Sequence, residues 1–240
     1  CKTAQVVVVG GVRRSALISL SNLSDDLLRS AKSGDWWTHY NYRSYANNSA
    51  VYKDRPEMGI FMKEWQALYK SRSGERGMFS RAAAQKQAAQ SGRRETEHDF
   101  GTNPCCEIIL RPYQFCNLTE VVVKKDDTRE SLLKKVRLAT ILGTYQATLT
   151  DFKYLRKVWQ RTTEEERLLG VSLTGIMDNP LTHEIGEPLD ALLRDLRAKA
   201  VETNKEWAEK FGIPQSTAIT CVKPSGTVSQ LVDAASGIHA

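Results

Sequence analysis

The chain has 240 residues, of which 41% are hydrophobic and 26% charged, a composition typical of a globular protein. It contains no apolar run of about 18 residues, so we expect no membrane-spanning helix and no membrane partner. The net charge is +6, but the basic residues are scattered in short pairs, which disfavours nucleic acid as a partner.

Both ends of the sequence have the character of internal segments. The sequence starts at Cys1 and runs at once into a strand-like segment, without the charged and apolar leader that directs secretion. We therefore interpret the chain as an internal piece of a longer protein. Its five cysteines are an odd number, which indicates reduced thiols in the cytoplasm rather than a disulfide framework.

Strand-like and helix-like segments alternate along the first half. A β-branched run at 3–11 predicts a buried strand ending at a Gly-Gly turn, and the alternation at 15–21 predicts a second strand. A short helix is predicted at 22–34, capped by the Asn or Ser at its start and stopped by Gly34. Further helices are predicted at 64–74 and 76–92.

The second half continues the alternation. Its predicted elements are strands at 106–112 and 115–123, a helical region at 130–152 that is one helix or two broken near Gly143, a segment at 166–179 that fits helix or strand, a helix at 187–212, and a strand followed by a Pro-Ser-Gly-Thr loop at 216–231. The alternation favours the α/β class. No linker divides the sequence, so 1–240 is treated as part of one domain.

Three cysteines, Cys105, Cys106 and Cys116, lie within twelve positions. Metal binding, a disulfide and thiol catalysis are competing explanations. Zinc ligands usually come in pairs separated by two to four residues, and two adjacent cysteines chelate one ion poorly. No fourth ligand lies nearby in the sequence, so we expect no metal. A buried-core role would suit Cys1 and Cys221 better than Cys105.

The neighbours of Cys105 point to a binding function. If the segment is extended, side chains alternate, so Asn103, Cys105 and Glu107 face one side and Cys106 faces the other. Burying an amide, a thiol and a carboxylate together costs free energy unless they bind something. If the segment is not extended, Cys106 competes with Cys105 for the same role.

Segment 103–107 reads N-P-C-C-E and resembles the N-P-C-x-E signature of adenosylcobalamin-dependent (class II) ribonucleotide reductases. Cys116 matches the place of one of that family's redox-active cysteines. The resemblance covers essentially all 240 residues, through GGVRRSALISL, ANNSAVY, SGERGMFSR, QFCNLTEVV, LGTYQATLTDFKYLR, EERLLGVSLTGIMD and KPSGTVSQLVDAASGIH in this order. It is nearest to the monomeric ribonucleoside-triphosphate reductase branch.

The resemblance implies a fold and a reaction. The fold would be part of a ten-stranded α/β barrel, with a central finger loop near 101–120. The reaction would reduce ribonucleoside triphosphates to 2′-deoxyribonucleotides for DNA synthesis, with adenosylcobalamin as cofactor and thioredoxin or a similar dithiol as reductant. The full-length protein would be a monomer or homodimer, and the 240-residue piece alone would be inactive.

The resemblance also implies residue roles. Cys105 would carry the thiyl radical, Glu107 would act as the base on the 3′-hydroxyl, and Asn103 would orient the sugar hydroxyls. Cys116 would be one of two thiols that supply reducing equivalents and end as a disulfide. Its partner thiol in the family lies well upstream of the G-G-x-R-R segment, so Cys1 is a poor candidate for it.

The same family places the substrate phosphates on the loop near 223–229. Here Pro224, Ser225, Gly226 and Thr227 would bind them, and a turn of this composition offers backbone N–H groups and hydroxyls to an anion at a helix start. The sequence departs from the family at Ser80, where relatives usually have Asn, and no role is assigned to that residue.

The sequence is also compatible with other functions. The chain fits an inactive nucleotide-binding remnant, a ribonucleoside-diphosphate reductase of the same fold, or a reductase whose radical comes from an iron-containing partner subunit. The short spacing between Cys105 and Cys116 disfavours the last of these. An enzyme is distinguished from a remnant by whether the full-length protein contains the whole catalytic barrel.

Overall fold

The structure, a computed structural model, describes residues 5–8 and 15–237. The predictions for Cys1 and for most of the strand at 3–11 lie outside these residues. The chain divides into two compact units, with the boundary between Arg111 and Pro112. Helices and strands alternate in both units, which confirms the predicted α/β class. No helix in the described ranges combines the length and apolar character needed to cross a membrane.

The first unit contains the elements β1 (Leu17–Asn22), α1 (Asp26–Arg29), α2 (Trp36–His39), β2 (Ala46–Tyr52), α3 (Met58–Ser71), β3 (Gly77–Ser80), α4 (Arg81–Gln90), β4 (Gly101–Thr102) and β5 (Ile109–Leu110). Short 3₁₀ helices occur at Val6–Val8 and Asn41–Tyr45. The strand prediction is therefore wrong at Val6–Val8, where a β-branched run does not form a strand. The helix predicted at 22–34 is shorter than expected, and its cap is Asp25, which accepts the Leu28 N–H at 2.9 Å.

The main sheet of the first unit is parallel, in the order β1-β2-β3. Parallel neighbours need a crossover connection, and α3 provides it between β2 and β3. The core against this sheet is small and is centred on Phe100, which is fully buried; the other buried members are Val51, Phe79, Ala84 and Ala88. Ser80 caps α4 by accepting the Ala83 N–H at 3.1 Å, which gives the departure from the family a local structural role.

An ion cluster fastens α3 to the sheet, because Glu64 is the buried residue of this helix. Its carboxylate accepts bonds from Arg76 at 3.0 and 2.8 Å and also from Arg29. Burial alone would raise the pKa of Glu64, but the two guanidinium groups outweigh it and lower the pKa. The cluster is a structural use of charge, since both arginines are themselves largely buried.

The second unit contains β6 (Asn117–Val122), α5 (Arg129–Gln146), α6 (Lys157–Glu166), β7 (Leu169–Thr174), α7 (Pro180–His183), α8 (Glu187–Phe211) and α9 (Val228–Leu231). A 3₁₀ turn lies at Ile176–Asp178. The segment at 166–179 thus resolves as a strand followed by this turn. α5 is a single helix, and Gly143 lies within it against Leu169 and Thr119, so a break at that glycine is wrong.

Parallel pairing also organises the second unit. β6 pairs with β7 from Asn117 opposite Leu169 to Val122 opposite Thr174, and Thr220 adds a parallel bridge to Val171. α5 and α8 pack on this sheet through a core cluster that includes Val121, Leu132, Val136, Leu169, Val171, Leu192, Leu196, Ala200 and Ile219. α8 ends at Gly212, whose φ of 66° is the left-handed conformation typical of a helix C-cap.

The described strands form one three-stranded and two two-stranded sheets. These residues do not by themselves form the ten-stranded barrel that the resemblance implies. The prediction that 1–240 is part of one such domain therefore stays a prediction.

A buried amide joins the layers of the second unit. Asn204 on α8 is fully buried, donates to the hydroxyls of Thr144 and Ser216 at 3.0 Å each, and accepts the Ser216 N–H at 2.9 Å. These bonds connect α8 to α5 and to the segment that precedes the Thr220 bridge. Every polar atom of this amide side chain is used, as a buried amide requires.

We expect Asn204→Ala to destabilise the second unit by about 2–3 kcal/mol, because it removes the acceptor of the buried Ser216 N–H and the donor to the Thr144 and Ser216 hydroxyls. Hydrogen exchange of the α8 amides in the full-length protein measures this loss. The matched control is Lys205→Ala, one position along on the exposed face, which should change stability by less than about 0.5 kcal/mol. Equal effects of the two substitutions would contradict the role of the amide.

Candidate active site

The N-P-C-C-E segment forms the turn between the antiparallel strands β4 and β5. The Cys106 N–H donates to the Asn103 carbonyl at 3.0 Å, and Cys106 has a left-handed φ of 63°. The extended conformation considered for this segment is therefore wrong. A two-residue strand pair with Pro104 in its connection turns too sharply for side chains to alternate between two faces.

The Asn103 side chain closes this turn. Its Oδ1 accepts the Ile108 N–H at 3.1 Å and lies 3.4 Å from the Thr102 hydroxyl. From outside the motif, Asn47 on β2 donates through Nδ2 to the Pro104 carbonyl at 2.9 Å. The turn is thus fixed at both ends, and Asn47 is a supporting residue that the motif alone does not identify.

The surroundings of Cys106 disfavour its thiolate form. Both cysteines are exposed as residues. Burial of the sulfur raises the pKa of the Cys106 thiol, the charges of Glu107 and Cys105 raise it further, and a hydrogen bond with Thr102 opposes the rise. The raised pKa of Cys106 favours the protonated thiol over the thiolate, which is the nucleophilic form.

Glu107 is half-buried at the end of the turn. Its Oε2 is buried and has no hydrogen-bond partner among the residues that the structure describes. A buried carboxylate oxygen without a donor is costly, and such groups are common where a ligand supplies the missing partner. Asn103, Cys105 and Glu107 thus belong to one short turn, and their joint action on a ligand stays a prediction.

In the second unit, Cys116 is half-buried and directly precedes β6. The residues before it are held by α6, because Gln114 donates to Glu166 at 2.5 Å and Phe115 packs on Trp159 with ring centroids 4.9 Å apart. The Asn117 N–H donates to the Leu168 carbonyl at 3.0 Å. The position of the Cys116 backbone is thereby set from both sides.

The Pro-Ser-Gly-Thr loop lies between the Thr220 bridge and α9. Ser225 has a φ of 56° and is buried, and the Pro224 carbonyl accepts the Gly237 N–H at 3.0 Å. The helix that follows has four residues, so its dipole contributes little to anion binding. Glu120, to which the sequence assigned no role, accepts bonds from Lys223 and Ser225 of this loop. No group of three or more His, Cys, Asp or Glu in the described ranges could hold a metal ion.

Comparison with known proteins gives relatives along the whole chain, although no protein-family model matches. The adenosylcobalamin-dependent ribonucleoside-triphosphate reductase of Lacticaseibacillus paracasei is 27% identical over 266 residues, covering 98% of this chain and 34% of the relative. The enzyme of the same name from Levilactobacillus brevis is 29% identical, with the same coverage. A probable enzyme of this name from Dictyostelium discoideum is 27% identical and covers 97% of this chain. The chain spans about a third of the length of these relatives.

Solved structures agree with the sequence relatives. The crystal structure of a B12-dependent class II ribonucleotide reductase matches 97% of this chain and 35% of its own, with a TM-score of 0.74 at 23% identity. The chain has the ribonucleotide reductase fold. A class Id ribonucleotide reductase alpha subunit from Actinobacillus ureae matches the same share with a TM-score of 0.66 at 14% identity. The resemblance to class II ribonucleotide reductases that the motifs predict is confirmed.

Within this ribonucleotide reductase fold, we expect alkylation of Cys106 to require a higher pH than alkylation of an ordinary cysteine, because burial raises its pKa. The measurement is the rate of iodoacetamide labelling against pH in a Cys105→Ser variant, with the urea-unfolded protein as internal reference. Thr102→Val removes the hydrogen bond that favours the thiolate and should slow labelling further at any fixed pH. Labelling that reaches its plateau at a lower pH than in urea would contradict the assignment.

Proposed function

We propose that this chain is part of the catalytic portion of an adenosylcobalamin-dependent ribonucleoside-triphosphate reductase, which replaces the ribose 2′-hydroxyl by hydrogen. The observation that carries the proposal is the turn at 103–107, which holds an amide, an exposed thiol and a carboxylate with a buried unpartnered oxygen in one short segment. The names of the curated relatives support the reaction and the triphosphate substrate.

Breaking a C–H bond of the sugar requires a radical, which side chains do not generate unaided. Adenosylcobalamin, when bound, would supply that chemistry as a source of an organic radical. We assign the radical to Cys105 because it occupies the position of the cysteine in the N-P-C-x-E signature, and its exposure in a fixed turn makes the sulfur reachable. Cys105 would give its thiol hydrogen to the radical that the cofactor provides, abstract the 3′-hydrogen of the substrate as a thiyl, and return that hydrogen to C3′ once C2′ has been reduced.

The other residues of the turn act on the sugar hydroxyls. Asn103 uses Oδ1 to close the turn, so its Nδ2 is the group that can donate to a hydroxyl. Glu107 accepts the proton of the 3′-hydroxyl through a carboxylate at hydrogen-bond reach while the 2′-hydroxyl leaves as water. The buried Oε2 of Glu107 suits this role, since the substrate would provide the donor that the described residues do not.

Removing an oxygen as water requires two electrons and two protons. Cys116 supplies them together with a second thiol, and the pair ends as a disulfide that thioredoxin or a similar dithiol reduces again. Thiols that cycle in this way suit a reducing cytoplasm. The loop Pro224, Ser225, Gly226 and Thr227 binds the substrate phosphates.

The test of this proposal uses the full-length protein. CTP, an allosteric deoxynucleotide and a dithiol are incubated with and without adenosylcobalamin, and deoxycytidine nucleotide is quantified. We expect product only with the cofactor, complete loss in Cys105→Ser, and retention within about threefold in Cys106→Ser, which keeps the turn.

Three outcomes would contradict the proposal or its residue assignment. Loss of activity in Cys106→Ser with retention in Cys105→Ser would move the radical to Cys106. Product only after addition of an iron-containing partner subunit would assign the chain to a partner-dependent reductase. No product under any condition would favour a nucleotide-binding remnant.

We expect Glu107→Gln to lower kcat by about 10²–10⁴-fold, because the amide keeps the shape of the side chain but cannot accept the proton. The KM for CTP should change little, since the phosphates provide most of the ground-state contacts. Glu97→Gln, an exposed glutamate of the same unit, is the matched control and should leave both constants unchanged. A similar kcat in Glu107→Gln and the wild type would exclude Glu107 as the base.

A further inference from the structure

A carboxylate from β6 reaches the proposed phosphate loop. Glu120 Oε1 accepts a bond from Lys223 Nζ, and Oε2 accepts the Ser225 hydroxyl at 2.5 Å. The two partners lie 103 and 105 positions further along the chain and flank Pro224. Both oxygens of one carboxylate are therefore committed to the loop.

Glu120, Ser225 and Lys223 differ in the fraction of their surface that is exposed to solvent. The Glu120 side chain is 8% exposed and Ser225 is 2% exposed, whereas the Lys223 side chain is 22% exposed. The carboxylate and the hydroxyl thus form an inner contact from which solvent is nearly excluded. The ammonium lies further out, and only one of its three N–H donors is directed at Glu120. Lys223 can therefore offer its other donors to an anion without leaving the carboxylate.

The contact between the Glu120 carboxylate and the Ser225 hydroxyl also affects the backbone conformation at Ser225. Ser225 has a φ of 56°, a left-handed conformation that is unfavourable for residues other than glycine. Two interactions hold it there: the hydroxyl bond to Glu120, and the bond from the Ser229 N–H to the Ser225 carbonyl at 3.3 Å. Without the carboxylate, the hydroxyl of a buried residue would lose its acceptor and the turn would relax.

We propose that Glu120 is a positioning residue for the phosphate-binding loop: it fixes the left-handed turn at Ser225 and holds the Lys223 ammonium beside it, ready for the polyphosphate of the substrate. This inference rests on the proposed function in one respect, that the loop binds the nucleotide phosphates. The competing interpretation is an ion pair that stabilises the core of the second unit and has no effect on ligand binding.

The experiment measures binding of inorganic tripolyphosphate to the full-length protein by calorimetry, together with kcat and KM for CTP. We expect Glu120→Ala to weaken tripolyphosphate binding and raise the KM by about tenfold, with kcat within about twofold, because a residue that acts on binding alone changes KM. Glu120→Gln keeps one acceptor and should give an intermediate effect. The matched control is Glu202→Gln, which breaks an exposed pair with Lys199 in the same unit and should change nothing.

A double-substitution cycle tests whether Glu120 acts through Ser225. If it does, Ser225→Ala alone should weaken binding by about tenfold, and the double variant should be no weaker than either single one. If the two losses of affinity multiply, so that the double variant binds tripolyphosphate about a hundredfold more weakly than the wild type, the proposal is overturned. A fall in kcat with an unchanged KM would also overturn it.

The role of Glu120 and the reductase proposal can fail independently of each other. If the wild type forms no deoxynucleotide, the reductase proposal fails, but the tripolyphosphate measurement still decides the role of Glu120. If the wild type does not bind tripolyphosphate, or if wild type and Glu120→Gln bind it equally, the role of Glu120 is overturned. Thermal unfolding of each variant accompanies the binding data, and Glu120→Gln carries the test if Glu120→Ala does not fold.

Discussion

Parallel strand pairing is the constraint on which the rest of both units depends. Parallel neighbours cannot be joined by a tight turn, so each pair requires a helical crossover that also covers a face of the sheet. α3 makes this connection between β2 and β3, and α5 and α6 lie between β6 and β7. The proposed functional groups stand in the irregular segments between these elements, where a rigid scaffold can position them.

The sequence predicts the fold best where several local signals agree. Residues 187–212 combine an amphipathic pattern with Pro188 near the start and Gly212 at the end, and α8 occupies nearly the same range. Prediction is wrong at Val6–Val8, where β propensity is the only signal and no partner strand among the described residues supports it. It also does not decide between strand and helix at 166–179, because pairing with the distant β6 determines the outcome.

In the candidate site, too, the sequence identifies some residues and does not identify others. The motif identifies Asn103, Cys105 and Glu107 because their chemistry is unusual at so short a spacing. It does not identify Asn47 or Glu120, since their partners are distant in sequence and an asparagine or a glutamate on a strand is unremarkable by itself. Supporting residues of this kind become visible only when the fold brings a strand against a loop.

Several departures from local backbone preference lie in the segments to which the motifs assign a function. Besides glycines, the described residues with left-handed backbone are Arg72, Tyr113, Arg167, Asp233, Cys106 and Ser225. The two arginines are helix C-caps, where this conformation is ordinary. Tyr113 and Cys106 fall within 101–120, Ser225 within 223–229, and Asp233 just beyond it. Strained backbone persists where surrounding contacts enforce it, and here the Asn103 backbone carbonyl accepts the Cys106 N–H while the Glu120 carboxylate accepts the Ser225 hydroxyl. Cys106 and Ser225 therefore combine an unfavourable backbone conformation with a place in the two segments to which the motifs assign a function.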